Sequence, residues 1–518
     1  MLNQHHVYRN FSMTYLTDLL IRHPRFQNHS SYLLKGTVLL SAAGILCKTA
    51  GFFYKIFLSR TIGAQQLGLF HLCLPLCTLC ITLSGGGISS ILSRLTAQYA
   101  AQKETKKEQR FLLASLLLVL ILSFLSSFLL YYNAPVIAYK FLQNRSCTAL
   151  LRILSLTVPP ASLHACIYGY LIGKKQVLPS ALSQIFEQFF RILSVFFFYT
   201  LFLTAQKKPD STVMALGQLA GELSASLFCL LFLFLKTPFP QKTAVSFLPD
   251  DIREIFWLAA PLNASRIALC LLQAAEASLL PILLMRFGMT NSDALAAYGI
   301  LSGMVLPLLL FPTTFTASVS TLLLPVVSEA HTLGYQKQIQ TTVRTSLSGG
   351  LLLGLYFFTL FFLFGNELGK LLFSNPSAGI YLHLFSFLCP LLYINTILTG
   401  ILHGLGKTGT VSVQSMLSLG LRLLLLLVLI PRLGLTGYLF AGFCGQCAAF
   451  LLALLALFRT GNLSRAFLQI LPRPILACIL TICSGLMLKT WLFFGSDSWI
   501  SLFCESLLCT ALFFSVLT

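Results

Sequence analysis

The run Val177–Leu203, VLPSALSQIFEQFFRILSVFFFYTLFL, decides the fold. It is long enough to cross a bilayer, which takes roughly 20 apolar residues in a helix. Its polar side chains Ser180, Gln184, Glu187, Arg191 and Ser194 follow one another at steps of four, three, four and three. That spacing lines one face of a helix. An apolar helix with a single charged stripe belongs inside a bundle, with the stripe turned from lipid towards protein or a wet cavity.

The rest of the chain agrees. Of its 518 residues 56% are hydrophobic and 10% charged, against about 25% charged in soluble domains. A water-soluble multidomain enzyme and a disordered chain are both excluded. The net charge of +20 comes from 35 basic and 15 acidic residues scattered through long apolar runs, which excludes a nucleic-acid binder. The class is an all-α polytopic membrane protein. Fourteen spans are expected, near 36–59, 68–93, 111–132, 149–173, 177–203, 212–235, 252–285, 295–325, 345–366, 378–404, 408–431, 435–458, 472–492 and 498–518. The seventh and eighth are overlong and carry Pro261, Pro281, Pro307 and Pro312, which predicts bending or unwinding where a helix lines a cavity. Residues 1–32 form a polar extension with one short amphipathic run, Phe11–Ile21, suited to the membrane surface. No cleavable signal peptide is visible.

Basic residues outside the spans give the orientation. With the N-terminus in the cytoplasm, twenty fall inside and nine outside; the nine include Arg60, Lys140, Arg145 and Lys370. This asymmetry places both termini in the cytoplasm. The chain also repeats itself. At an offset of 231, Ser155, Pro159, Gly169, Leu171, Gly173 and Arg191 fall on Ser386, Pro390, Gly400, Leu402, Gly404 and Arg422. At 224, Gly221 and Glu222 fall on Gly445 and Gln446. Two six-helix lobes follow, 33–235 and 252–458, joined by a cytoplasmic linker at 236–251 and trailed by a helix pair at 459–518. Duplicated bundles around a central site are a transporter architecture.

Charges deep in spans identify the candidate site. Lys48, Lys55, Arg191, Arg266 and Arg422 are cationic; Glu187, Glu222 and Glu276 are acidic. Each would cost about 2.5–3.5 kcal/mol facing lipid at a helix centre. Lys48 and Lys55 lie two turns apart on one side of the first span, and Arg266, Gln273 and Glu276 line the seventh. The interior surplus of cations suits an anionic ligand such as phosphate or pyrophosphate. Glu187 and Arg191, at i and i+4, also fit a plain structural ion pair, and Glu222 a structural role. Arg152 lies near a span end and can snorkel. Glu505, in the last span, reads as a structural or exposed exception. The fifteen cysteines, Cys77/Cys80 and Cys444/Cys447 included, read as small reduced membrane residues without His partners. His71, His164, His383 and His403 have no metal-ligand spacing and read as packed helix histidines. Gly404-Leu-Gly-Lys-Thr408 lacks the first glycine of a phosphate loop, with Ile401 in its place. Gly85-Gly86-Gly87 reads as a flexible point in the second span.

Three segments carry a family likeness: Lys35–Gly68, KGTVLLSAAGILCKTAGFFYKIFLSRTIGAQQLG; Leu310–Ala330, LFPTTFTASVSTLLLPVVSEA; and the fourth-to-fifth span region with Gly169, Gly173, Pro179, Gln184, Glu187 and Arg191. The sequence resembles the stage V sporulation protein B and polysaccharide-flippase branch of the multidrug/oligosaccharidyl-lipid/polysaccharide exporter superfamily, to which lipid II flippases and MATE antiporters are related. The resemblance implies a MATE-like two-lobed fold, alternating access, and flipping of a polyprenyl-pyrophosphate-linked saccharide for the cell wall, a polysaccharide or the spore. It places the family's cationic first-helix positions at Lys48, Lys55 and Arg60. Lysine at the first two keeps the charge and loses the bidentate fork of the arginine common in relatives. Ser89 stands where the family commonly has proline.

The expected site therefore holds the substrate's phosphates with Lys48, Lys55, Arg60, Arg191, Arg266 and Arg422. Glu187, Glu222 and Glu276 balance the charge or bind a coupling ion. No metal and no resident cofactor are expected; a proton or sodium gradient or the membrane potential is the drive. The expected partners are the lipid-linked saccharide and the bilayer, with no nucleic acid, for a monomeric transporter that is not an enzyme. Rival readings are a cation-coupled multidrug antiporter, a membrane glycosyltransferase and a non-transporting assembly protein. Loops of around twenty residues without paired acids argue against the glycosyltransferase.

Overall fold

Hydrocarbon offers no water to backbone N–H and C=O groups, so a chain this apolar satisfies them within each segment. Every regular element among the described residues is helical. The computed structural model describes residues 30–236, 249–461, 472–491 and 499–517. The expected surface run Phe11–Ile21 and most of the linker 236–251 lie outside the described residues.

The chain packs as two compact units, Leu33–Gly299 and Ile300–Thr518. The first holds α1 (Ser30–Thr61), α2 (Ala64–Ile81), α3 (Gly87–Ala101), α4 (Thr105–Val136), α5 (Cys147–Ser155), α6 (Val158–Gly173), α7 (Val177–Thr204), α8 (Ser211–Lys236), α9 (Pro249–Arg286) and nearly all of α10 (Asn291–Ile300). The second holds α11 (Leu306–Leu310), α12 (Thr313–Thr332), α13 (Gln336–Phe373), α14 (Pro376–Phe385), α15 (Cys389–Gly404), α16 (Thr408–Leu433), α17 (Leu435–Arg459), α18 (Pro472–Trp491) and α19 (Trp499–Leu517). Wider π turns interrupt the helices at Thr82–Gly86, Ile137–Phe141 and Leu301–Val305.

In the first unit Ile88, Val119, Ile167, Cys229, Ile255 and Ala259 share one core, drawn from α3, α4, α6, α8 and α9. Arg110 on α4 donates to Asp251 on α9 through Nε (2.9 Å) and Nη2 (2.8 Å), fastening the start of α9 to the same unit. Lobes 33–235 and 252–458 describe how the sequence repeats. The division at Gly299 describes how it packs. The second unit has its own core of Leu323, Val327, Val343, Leu347, Ile397 and Leu398. There α18 and α19 pack on α13 through Cys478, Phe513 and Tyr356.

Local geometry repeats with the sequence. At the same offset of 231, the break between α5 and α6 recurs between α14 and α15. Left-handed backbone recurs as Lys103 and Gly334 (φ 59° and 73°), Gln143 and Ser374 (51° and 52°), and Lys175 and Gly406 (61° and 72°). Gly169 and Gly173 on α6 seat against the carbonyls of Ser89 and Ser93 on α3, and Gly400 and Gly404 on α15 seat against those of Ser320 and Leu324 on α12. Lipid is as apolar as leucine, so membrane helices associate through such small-residue contacts, where a side chain would meet backbone.

Among the described residues eleven helices are long and apolar enough to span a bilayer, or twelve if α5 and α6, bent by 41°, form one span. The expected count of fourteen is not confirmed among the described residues; α18 and α19 contain the apolar stretches Pro472–Met487 and Leu502–Val516. The seventh expected span does not unwind. α9 runs unbroken from Pro249 to Arg286 despite Pro261 and Pro281. The eighth does break, at the π turn Leu301–Val305 and again at Phe311–Pro312, so its spanning part is Asn291–Leu310. All fifteen cysteines are free thiols.

Candidate functional site

Three helices of the first unit bring four ionisable side chains together. The i, i+4 spacing on α7 pairs Arg191 with Glu187, as the sequence allows. Close approach of α8 makes the cluster possible. Gly217 and Gly221 on α8 lie against the backbone of α7 at Arg191 and Glu187, which sets Glu222 beside the pair. The Arg191 guanidinium lies 3.8 Å from the Glu222 carboxylate. From α6, His164 Nδ1 reaches both acids, at 3.9 Å from Glu187 and 3.8 Å from Glu222.

Neighbouring polar groups fix these positions. His164 Nε2 and the Ser183 hydroxyl lie 3.1 Å apart, and Ser183 donates to the Ser180 carbonyl. Gln218 donates to Glu222 at 3.1 Å and Arg191 to Gln188 at 3.1 Å. Gln184 donates to the Tyr168 hydroxyl. Arg191 Nε is buried with no hydrogen-bond partner among the described residues. His164 and Glu222 are buried; Glu187 and Arg191 are half-buried. One donor atom from each of His164, Glu187 and Glu222 lies within 4.8 Å of the others, a set able to hold a cation.

The cations of α1 differ from one another. Lys55 is half-buried, within electrostatic range of Arg191, and forms no hydrogen bond or ion pair among the described residues. Gly51, one turn back, faces Gln188, and Phe57 packs on Phe196 at 4.4 Å, so this side of α1 looks onto the charged stripe of α7. Lys48 and Arg60 are exposed. Arg266 on α9 is exposed and already engaged: it donates to the Gly86 carbonyl and, at 3.1 Å, to the Ser90 hydroxyl. Asn263 accepts from the Gly87 amide beside it. Gly86 closes the π turn Thr82–Gly86, and its carbonyl also accepts from the Ser89 hydroxyl at 3.2 Å. Glu276 is buried on α9.

Arg422 lies in the second unit. It donates to the Tyr438 hydroxyl at 3.1 Å, with its guanidinium 5.4 Å from that ring's centre. Around it the offsets of the repeat place Asn395, Ser418 and Gln446 at the positions of His164, Glu187 and Glu222. These also meet. Asn395 donates to the Gln446 side chain at 2.8 Å, and Ser418 donates to the Gly445 carbonyl at 2.6 Å.

Of the expected site residues, Glu187, Arg191 and Glu222 come together, with Lys55 in electrostatic range of Arg191. Arg266 occupies a different set of bonds, and Arg422 has its own aromatic partner. His164 was not among them, because its partners lie on other helices at no recognisable spacing. The one available signal was its register with the polar Asn395 in the repeat.

The comparisons bear on this arrangement. The profile described as polysaccharide biosynthesis protein matches residues 33–331, and the MatE profile matches 268–428. Stage V sporulation protein B of Bacillus subtilis (strain 168) is 26% identical over 412 residues, covering 78% of this chain and 79% of that protein. Lipid II flippase MurJ of the same strain is 23% identical over 494 residues, covering 89% and 88%. The solved structure of lipid II flippase MurJ in an inward closed conformation superposes with a TM-score of 0.71 at 14% identity, covering 93% of this chain and 98% of that one, which establishes the fold. A match over more than half of its length, on a helical membrane bundle with a charged interior, makes this chain a member of the polysaccharide biosynthesis protein family.

Proposed function

We propose that the protein is a flippase that carries a polyprenyl-pyrophosphate-linked saccharide across the cytoplasmic membrane by alternating access, as a monomer with both termini in the cytoplasm. The observation that carries this reading is Arg191 set inside the membrane beside two carboxylates, with Lys55 on α1 in electrostatic range of Arg191. Membrane-embedded cations of this kind suit the phosphates of a lipid-linked anion. Similarity to stage V sporulation protein B and to lipid II flippase MurJ supports the same substrate class and a role in wall or spore formation. In this reading Lys48 and Arg60 extend the cationic face of α1, and Arg266 and Arg422 contribute further phosphate contacts.

The acids supply the coupling. Without a ligand, Glu187 and Glu222 balance Arg191 and Lys55. A proton or sodium ion held by His164, Glu187 and Glu222 frees the two cations for phosphate, so each ligand raises the affinity for the other. The membrane potential adds about 2.3 kcal/mol per charge per 100 mV when an anionic headgroup moves to the positive side. The test is leaflet exchange of a fluorescent undecaprenyl-pyrophosphate saccharide in reconstituted vesicles, with and without an imposed potential. Lys55→Gln should slow exchange by about ten- to a hundredfold, the size of one lost charged contact. Wild-type exchange in that variant would remove Lys55 from the site.

A second reading, a cation-coupled antiporter, draws on the MatE match and on the cation-competent His164, Glu187 and Glu222. Gradient-driven uptake of a cationic dye in the same vesicles, without lipid exchange, would favour it.

A further inference from the structure

At the far end of α4 from Arg110, the helix loosens into the π turn Ile137–Phe141 and reverses through the left-handed Gln143. The reversal leaves a recess of about 510 Å³ lined by Tyr139, Lys140, Gln143 and Arg145. This falls in the range of about 300–1,000 Å³ typical of ligand sites. The Arg145 guanidinium lies 5.2 Å from the centre of the Tyr139 ring, and further back along α4 that of Arg152 lies 5.5 Å from Tyr131.

No Asp or Glu occurs anywhere from Gln109 to Phe186. Among the described residues none of Lys140, Arg145 and Arg152 has an acidic partner. Below them Phe124, Leu125, Phe128 and Leu129 are exposed along α4 and suit lipid tails. Tyr132 and Tyr139, also exposed, stand where aromatic residues collect between tails and headgroups. Lys140 and Arg145 also belong to the minority of basic residues on the side where such charge is disfavoured. Unpaired cations, aromatic rings and a concave floor above an apolar helix face together select an anion that is anchored in the bilayer.

We infer that this recess binds a lipid-borne phosphate group at the membrane interface, with Lys140 and Arg145 on the phosphate oxygens and Tyr139 and Gln143 beside the headgroup. Two sources share that chemistry: an ordinary anionic phospholipid and the transported polyprenyl pyrophosphate. The second alone rests on the proposed flippase function.

Native mass spectrometry of the full-length protein in detergent tests it, with phosphatidylglycerol, phosphatidylcholine, undecaprenyl pyrophosphate and inorganic phosphate as probes. Wild type should retain phosphatidylglycerol or undecaprenyl pyrophosphate over phosphatidylcholine, and the preferred one names the source. Lys140→Gln with Arg145→Gln should lower that retention about tenfold. The charge-keeping pair Lys140→Arg with Arg145→Lys should restore it, which separates lost binding from misfolding. Equal retention in wild type and the Gln variant overturns the inference, and so does displacement of the lipid by millimolar inorganic phosphate. Retained phosphatidylglycerol in a protein that fails the flipping assay upholds this site while removing the proposed function.

Discussion

The two halves of the chain solve one geometric problem with different chemistry. Each sets three polar side chains from three helices beside an arginine, at positions related by the same offsets. In the first unit they are His164, Glu187 and Glu222 around Arg191; in the second they are Asn395, Ser418 and Gln446 with Arg422 nearby. Neutral amides and hydroxyls carry no net charge into a low-dielectric interior: Asn395 donates to Gln446, and Ser418 to the Gly445 carbonyl. Buried carboxylates need a cation or a proton to be tolerated there. Duplication therefore supplied a scaffold for a polar centre twice, and only one copy carries groups whose charge can change. Under the proposed function, energy coupling is assigned to the first unit.

The hardest blow to that contrast is to copy one centre onto the other. The triple change His164→Asn, Glu187→Ser and Glu222→Gln should leave a folded, membrane-inserted protein whose lipid exchange no longer answers to an imposed cation gradient. An unaltered gradient response would make the difference between the halves ornamental. Next in size are the two arginines. Arg191→Ala strands the buried Glu222 and the half-buried Glu187 and should cost about 3–5 kcal/mol, whereas Arg422→Ala loses a ring contact and a hydroxyl bond worth about 0.5–2 kcal/mol. Thermal unfolding in detergent distinguishes them, and equal losses would dissolve the asymmetry. The smallest effect probes what the halves share. Gly169→Ala and Gly400→Ala each push a methyl group into a facing helix backbone, and each should cost about 1–3 kcal/mol. Unequal melting shifts would show that the two interfaces have diverged as well.

Apolar run length and the Gly, Pro and Arg matches at one offset were enough to read a duplicated helical membrane bundle from the sequence. The count of fourteen is not confirmed among the described residues, where eleven or twelve helices meet the length and hydropathy of a span. Nor could run length and offset foresee that α9 stays helical through two prolines. The Glu187–Arg191 pair was legible because both residues share a helix face. Glu222 was legible only as a buried charge, and His164 not at all, because their meeting depends on how closely α8 and α6 approach α7. The bond from Arg266 to the Gly86 carbonyl was not legible, because nothing in the sequence shows that Gly86 lies in a π turn beside α9.

The paired left-handed turns record a trade made during synthesis. At the junctions where the second half has Gly334 and Gly406, free of steric strain, the first half has Lys103 and Lys175. A side chain held in that conformation costs on the order of 1–3 kcal/mol. Under the proposed orientation both lysines face the cytoplasm, and the segments that emerge first from the ribosome usually fix topology. The first half thus accepts backbone strain in return for an insertion signal. The second half keeps its basic residues one to three positions further on, at Lys407 and Lys337, and leaves the left-handed positions to glycine.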